Sequence, residues 1–286
     1  MKKIGFKINL GIGSIIIIKY ILDQLKKDYD TIYIEPNLNL IKICRNDKKE
    51  FYDFIKNFIN LLFNEKPYEI VYSSKNDCLW IIGDHYDIIK SLEKNVHLKN
   101  FNLTKYLIDP SYLFEYKNYI VLSTKVRWVY RKYYNDIYKD FFNIINKIPE
   151  KYSLIIIGEQ TIDDNYEYKI HKDHIFSIYD DIKKYINRNF IDLTVKEMAN
   201  NPNLDLIKRD CTIMNKSLLS ICIGEGGNFC LSCAVAPKTI SFTQREFDIT
   251  LEKLKENSHI KLFTNFLDFK NELEENINKL NHDTSL

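Results

Sequence analysis

The sequence predicts an α/β fold built on parallel sheets, and three observations carry that prediction. Short apolar runs alternate with amphipathic stretches of helical spacing almost from end to end, the pattern of βαβ units. Some runs, Trp80-Ile81-Ile82 among them, are apolar without alternation, as strands buried on both faces are. The pattern weakens between Asn100 and Asn118, around Pro110, and then restarts. Two such stretches predict two Rossmann-like domains, 1–110 and 111–286, facing across a cleft. In open parallel sheets ligands bind beyond the carboxyl ends of the strands, so the loops that follow strands are where chemistry is sought.

In the first half, Lys3 to Asn9 reads as a strand that runs into Gly11-Ile12-Gly13-Ser14. Ile15 to Asp28 has helical spacing, and Thr31 to Glu35 is a strand stopped by Pro36. Phe51 to Phe63 is an amphipathic helix with Phe51, Phe54, Ile55, Phe58, Ile59 and Leu62 on one face. Glu69 to Ser73 and Leu79 to Ile82 are two more strands. In the second half, strands are expected at Tyr119 to Leu122, Leu154 to Ile157, Phe190 to Leu193, Leu218 to Ile223, Thr239 to Phe242 and Lys261 to Phe263. Helices are expected at Tyr133 to Ile148, Leu204 to Asn215, Phe229 to Val235, Glu246 to Asn257 and Asn265 to Leu280.

Composition removes several classes. The balance of 41 basic and 39 acidic side chains, net charge +2, argues against a dedicated nucleic-acid surface. Hydrophobic residues at 45% suit a globular chain, and 8 Gly and 6 Pro exclude collagen-like and linker-like chains. The early run Ile15 to Ile18 is far shorter than the ~20 residues of a membrane helix, and no secretory signal pattern is present, so a cytoplasmic protein without a membrane span is expected. Cys44, Cys78, Cys211, Cys222, Cys230 and Cys233 are scattered and read as free thiols. The pair Cys230 and Cys233 has no second pair at metal spacing. His171 and His174 read as surface residues. No P-loop and no G-x-S-x-G occurs, and no metal or cofactor is expected.

Five stretches at strand ends can carry chemistry. Gly11-Ile12-Gly13-Ser14 suits a tight turn with Ser14 as helix N-cap, or a ligand-lining loop. Gly224-Glu225-Gly226-Gly227-Asn228 follows a buried strand and opens a helix near Asn228. Backbone N–H groups there suit a pyrophosphate, while Glu225 suits sugar hydroxyls or a metal, and a packing turn is the competing reading. Ser123-Thr124-Lys125-Val126-Arg127 offers hydroxyls and cations to phosphate, or is a solvated basic loop. Gly158-Glu159-Gln160 offers a carboxylate to a ribose diol, or is a surface turn. In Gly83-Asp84-His85, Asp84 or His85 can act as general base, or Asp84 caps the helix that follows.

These residues carry a resemblance. Asp192-Leu-Thr, Leu204 to Asp210 and the run Ile221 to Phe242, with Glu225-Gly226-Gly227 and Ala236-Pro237-Lys238, resemble the donor-binding half of GT-B glycosyltransferases. The likeness is to the ADP-heptose–lipopolysaccharide heptosyltransferase family, glycosyltransferase family 9. Lys3 to Leu22 resembles that family's opening strand and loop. The resemblance implies a GT-B fold with a small acceptor half and a last helix packing back on the first domain. It implies inverting, metal-independent transfer from a nucleotide-diphosphate sugar to a hydroxyl acceptor such as a glycan. Glu225 would contact the donor sugar, and Gly226, Gly227 and Asn228 the diphosphate. Thr124, Lys125 and Arg127 would add phosphate contacts, Glu159 would hold the ribose, and Gly11, Gly13 and Ser14 would line the donor site. The family carries an aspartate base where this chain has Ser14, and serine alone is a poor base, which leaves Asp84 and His85 as the expected catalytic residues. A sugar-nucleotide epimerase of the same architecture and a non-catalytic nucleotide-sugar-binding protein are the alternatives.

Overall fold

The computed structural model describes residues 2–8, 11–37, 49–73, 75, 77–92, 96–112, 115–127, 129–162, 173, 175–196, 203–246 and 248–282. Asn9, Cys44, His171 and His174 lie outside the described residues. The chain is α/β with parallel sheets. Its first part contains β1 (Lys3–Ile8), α1 (Ile12–Leu25), β2 (Thr31–Pro36), α2 (Lys49–Phe63), β3 (Tyr68–Ile70), β4 (Leu79–Gly83) and α3 (His85–Ser91). A short α4 (Thr104–Leu107) precedes the second part. There the order is β5 (Tyr119–Ser123), β6 (Lys125–Arg127), α5 (Arg131–Ile145), β7 (Ser153–Ile157), β8 (Ile175–Ser177), α6 (Tyr179–Tyr185) and β9 (Ile191–Asp192). It continues with α7 (Leu204–Lys216), β10 (Leu219–Ile223), α8 (Gly227–Val235), β11 (Thr239–Phe242), α9 (Ile249–Lys255), β12 (Ile260–Phe263) and α10 (Phe266–His282).

Two separate parallel sheets result. The first runs β3-β2-β1-β4, and the second β9-β7-β5-β10-β11-β12. Both wind in the Rossmann-like manner. The chain steps outward from its first strand, then returns to that strand's other side, at β1/β4 in one sheet and β5/β10 in the other. Each return creates a switch point, where the loops after two adjacent strands diverge and leave a crevice.

Sequence decides how deeply each sheet is buried. In β1 the residues alternate: Ile4, Phe6 and Ile8 enter the core, while Lys3 and Lys7 lie half-buried on the other face. All five residues of β5 are buried, Tyr119 and Val121 in one apolar cluster and Ile120 and Leu122 in the other. Helix α1 is buried along Ile15 to Ile18 because the first sheet covers one side and α8 lies on another. A helix apolar all round is a core helix, which explains the run Ile15 to Ile18. Its one buried cation, Lys19, is met by Asp23 at 2.6 Å, the Tyr106 hydroxyl at 3.0 Å and Glu65 at 3.5 Å. The two parts therefore share one continuous apolar core, with α1 against α8 at its centre.

Two expectations are corrected here. Helix α10 does not pack back on the first part: Phe269, Leu273 and Ile277 join the core on the outer face of the second sheet, beside α5, β11 and β12. Its single apolar stripe is saturated by that contact. The stretch Ser123 to Arg127 is not a solvated loop either, since β6 pairs antiparallel with β8. Among the described residues no helix is long and apolar enough to cross a membrane.

Candidate functional site

The first switch point gathers Gly11, Gly13, Ser14, Asp84 and His85. Helix α1 starts one turn earlier than Ser14 suggests. Gly11 is its N-cap, without a side-chain cap, and Ile15 N–H donates to the Gly11 carbonyl at 2.9 Å. Ser14 is thus inside the first turn, where its hydroxyl lies 3.0 Å from His85 Nδ1. Gly13 has a packing reason: a Cβ there would lie 2.9 Å from Cys230 Sγ and 3.8 Å from Gly227 Cα, so α1 and α8 touch at this point.

Asp84 is the N-cap of α3. Its carboxylate accepts from the N–H groups of Tyr86 at 2.9 Å and Asp87 at 3.2 Å, and Asp87 accepts from the Asp84 N–H at 3.1 Å, a complete capping box. Both cap bonds use the Oδ1 atom of Asp84. Burial lowers the pKa of His85 below the ordinary imidazole value, although Asp84, Asp248 and Asp87 favour its charged form, and Arg245 opposes it. The ring is a neutral base at pH 7.

At the second switch point the expected ligand groups engage one another. Thr124 is fully buried, and its hydroxyl donates to the Glu159 carbonyl at 2.7 Å. Lys125 Nζ meets the buried Glu159 carboxylate at 2.6 Å. Asn228 is not the cap of α8; Gly226 is, and the Asn228 side-chain amide donates to Ser123 Oγ at 2.7 Å. The backbone of Arg127 runs beside Gly224, whose φ of +90° and lack of side chain permit the approach; a Cβ there would stand 1.7 Å from the Arg127 carbonyl oxygen. Glu225 N–H donates to that same carbonyl at 3.3 Å. These contacts tie the strand ends together.

Between the two switch points lies a group that no sequence pattern announced. Arg245, in the loop after β11, pairs with Glu225 at 2.8 Å and Asp248 at 3.3 Å. The Glu225 side chain is 3% exposed, and its second oxygen, Oε2, has no hydrogen-bond partner. Burial raises the Glu225 pKa above the usual carboxylate value, and the Arg245 guanidinium opposes that rise. Arg245 is itself half-exposed and near enough to His85 to influence it, and α9 touches α3. Lone arginines carry no periodicity, so only the path of β11 brings Arg245 to this rim. Cys230 and Cys233 are buried free thiols in α8, and burial pushes the Cys230 thiol up to about 12. Among the described residues no group of three potential ligands could hold a metal ion.

The arrangement can do two things chemically. It offers an imidazole base beside the N-terminal turn of α1. Opposite stands a carboxylate–guanidinium pair beside the glycine-capped start of α8, a place that suits an anion. The chain matches no protein-family model, and no curated protein matches it.

Proposed function

We propose that the chain is a glycosyltransferase of GT-B architecture, which moves a sugar from a nucleotide-diphosphate sugar to a hydroxyl acceptor with inversion. Residues 1–110 serve the acceptor and 111–286 the donor. The observation that carries this reading is the Glu225–Arg245 pair at 2.8 Å beside the second switch point, on the side where α9 touches α3, the helix that begins at His85. The N–H groups at Gly226, Gly227 and Asn228, at the start of α8, take the diphosphate, and Arg245 balances its charge. Glu225 Oε2, buried and without a partner, accepts from a sugar hydroxyl. His85 takes the acceptor proton as the sugar–phosphate bond breaks and the nucleotide diphosphate leaves. The roles implied by resemblance for Thr124, Lys125 and Glu159 pass to Arg245.

One observation favours the non-catalytic alternative. At the second switch point Thr124, Lys125 and Asn228 are engaged by Glu159 and Ser123, which suits a protein that binds and does not turn over. Thermal unfolding in a panel of nucleotide sugars, followed by product mass, separates the readings. A ligand at a hundredfold excess over its dissociation constant stabilises the folded state by about 2.7 kcal/mol. Transfer predicts stabilisation and a glycosylated acceptor, binding alone predicts stabilisation only, and no stabilisation by any nucleotide sugar contradicts both.

A further inference from the structure

The hydroxyl held closest to His85 in this structure belongs to the chain itself. Ser14 Oγ lies 3.0 Å from His85 Nδ1, within the reach that general-base activation of a nucleophile requires. Ser14 stands in the first turn of a helix that follows a parallel strand. The N–H groups of Ile12, Gly13 and Ser14 precede the bond from Ile15 N–H to the Gly11 carbonyl, the part of a helix where N–H groups can face an oxyanion. Among the described residues, a Cβ built on Gly11 would meet Ser14 Oγ alone within 4 Å, at 3.7 Å, and Gly11 is exposed.

We propose that Ser14 is a nucleophile activated by His85, which gives the first switch point a reactivity toward small carboxylic esters. Ser14 Oγ forms a bond to the acyl carbon while its proton passes to His85 Nδ1. The ester C–O bond breaks, and the alkoxide leaves with that proton. Water then repeats the sequence on the acyl-serine, gives its proton to His85 and releases the acid, and the proton returns to Ser14. The carbonyl oxygen, negative in the tetrahedral intermediate, faces the N–H groups of α1. Burial keeps the imidazole neutral and ready to accept the proton, and Asp84, Asp87 and Asp248 stabilise the imidazolium that forms. This activity stands apart from glycosyl transfer and needs no nucleotide.

The test uses the full chain with p-nitrophenyl acetate and with a fluorophosphonate that traps activated serines, the modified residue being located by peptide mass. The proposal expects the label on Ser14, and labelling and hydrolysis slowed about a hundredfold or more in His85→Gln. Gly11→Val, whose backbone at φ −75° and ψ 133° accepts any side chain, places a branched group against the hydroxyl and should slow both reactions at least tenfold without unfolding the chain. Absence of label at Ser14 in the folded wild-type chain overturns the proposal. So does labelling of Ser14 at an unchanged rate in His85→Gln, or, if that variant fails to fold, in Gly11→Val. Each of those results leaves the binding of nucleotide sugars untouched, so the two readings fail separately.

Discussion

The two switch points have the same winding and opposite commitments. At β5/β10, Glu225 Oε2 apart, expected ligand side chains close on their neighbours: Lys125 on Glu159, Thr124 on the Glu159 carbonyl, Asn228 on Ser123. At β1/β4 Asp84 is taken by a helix cap, while Ser14 and His85 meet only across the gap between α1 and α3 and keep partial exposure. The difference follows from burial. The second sheet is covered on both faces, so polar groups at its strand ends must be satisfied internally or cost about 1–3 kcal/mol each. In the first sheet β4 leaves Leu79 and Ile82 exposed, and polar groups at that edge can remain available. Residue type at a strand end therefore marks a place for chemistry; the depth of the sheet decides whether the group is free to perform it.

The largest effect that can break this comparison lies at Gly224. Gly224→Ala forces a Cβ against the Arg127 carbonyl at a φ of +90° and should destabilise the fold by more than about 3 kcal/mol in urea unfolding. A loss below 1 kcal/mol would mean the second switch point is looser than its contacts imply. Next is Gly13→Ala, which pushes α1 from α8 at Cys230 Sγ, 2.9 Å away, and should cost about 1–3 kcal/mol. Stability unchanged there would separate the two parts energetically. Thr124→Val removes one buried hydrogen bond and should cost about 1 kcal/mol, with nucleotide-sugar affinity unaltered in titration calorimetry. A marked loss of affinity would return Thr124 to the binding groups.

The smallest effect is in the pH dependence, where the two regions have opposite signs. His85 has its folded pKa lowered, so the unfolded chain takes up a proton first and stability falls as pH drops below about 6.5. Glu225 has its folded pKa raised, so its contribution is fully present below the ordinary value of 4.5 and is lost as pH rises through the folded pKa. Denaturant midpoints from pH 4.5 to 7.5 should show His85→Gln flattening the fall below 6.5, and Glu225→Gln removing the loss on the way up. The same slope in wild type and His85→Gln would contradict a buried neutral imidazole.

Much of this was legible in the sequence. Apolar runs and helical spacing identified most strands of both sheets and most helices between them: burial on both faces leaves the continuous Leu and Ile run of Ser153–Ile157, whereas Trp80-Ile81-Ile82 is apolar throughout although Ile82 lies exposed and the strand is not buried on both faces. The three-residue strands β6 and β8 were not legible, since Lys125-Val126-Arg127 and Ile175-Phe176-Ser177 are too short to show a period. Helix starts slipped by a few residues where glycine takes the cap: Gly11 and Gly226 hold those positions, although Ser14 and Asn228 have the better capping side chains. The side chains of Ser14 and Asn228 are engaged by His85 and Ser123 instead. Those partners stand 71 and 105 residues away in the chain, and no local pattern encodes such contacts. The same holds for Arg245 on Glu225.

The most direct test of the central claim is the mass of the products formed by wild type and His85→Gln from nucleotide sugars and hydroxyl acceptors, with donor binding measured on the same samples. The account predicts that wild type yields a glycosylated acceptor and free nucleotide diphosphate. His85→Gln should bind donor equally and turn over about a hundred- to ten-thousandfold more slowly. Equal turnover by both proteins, or donor binding by neither, would contradict it.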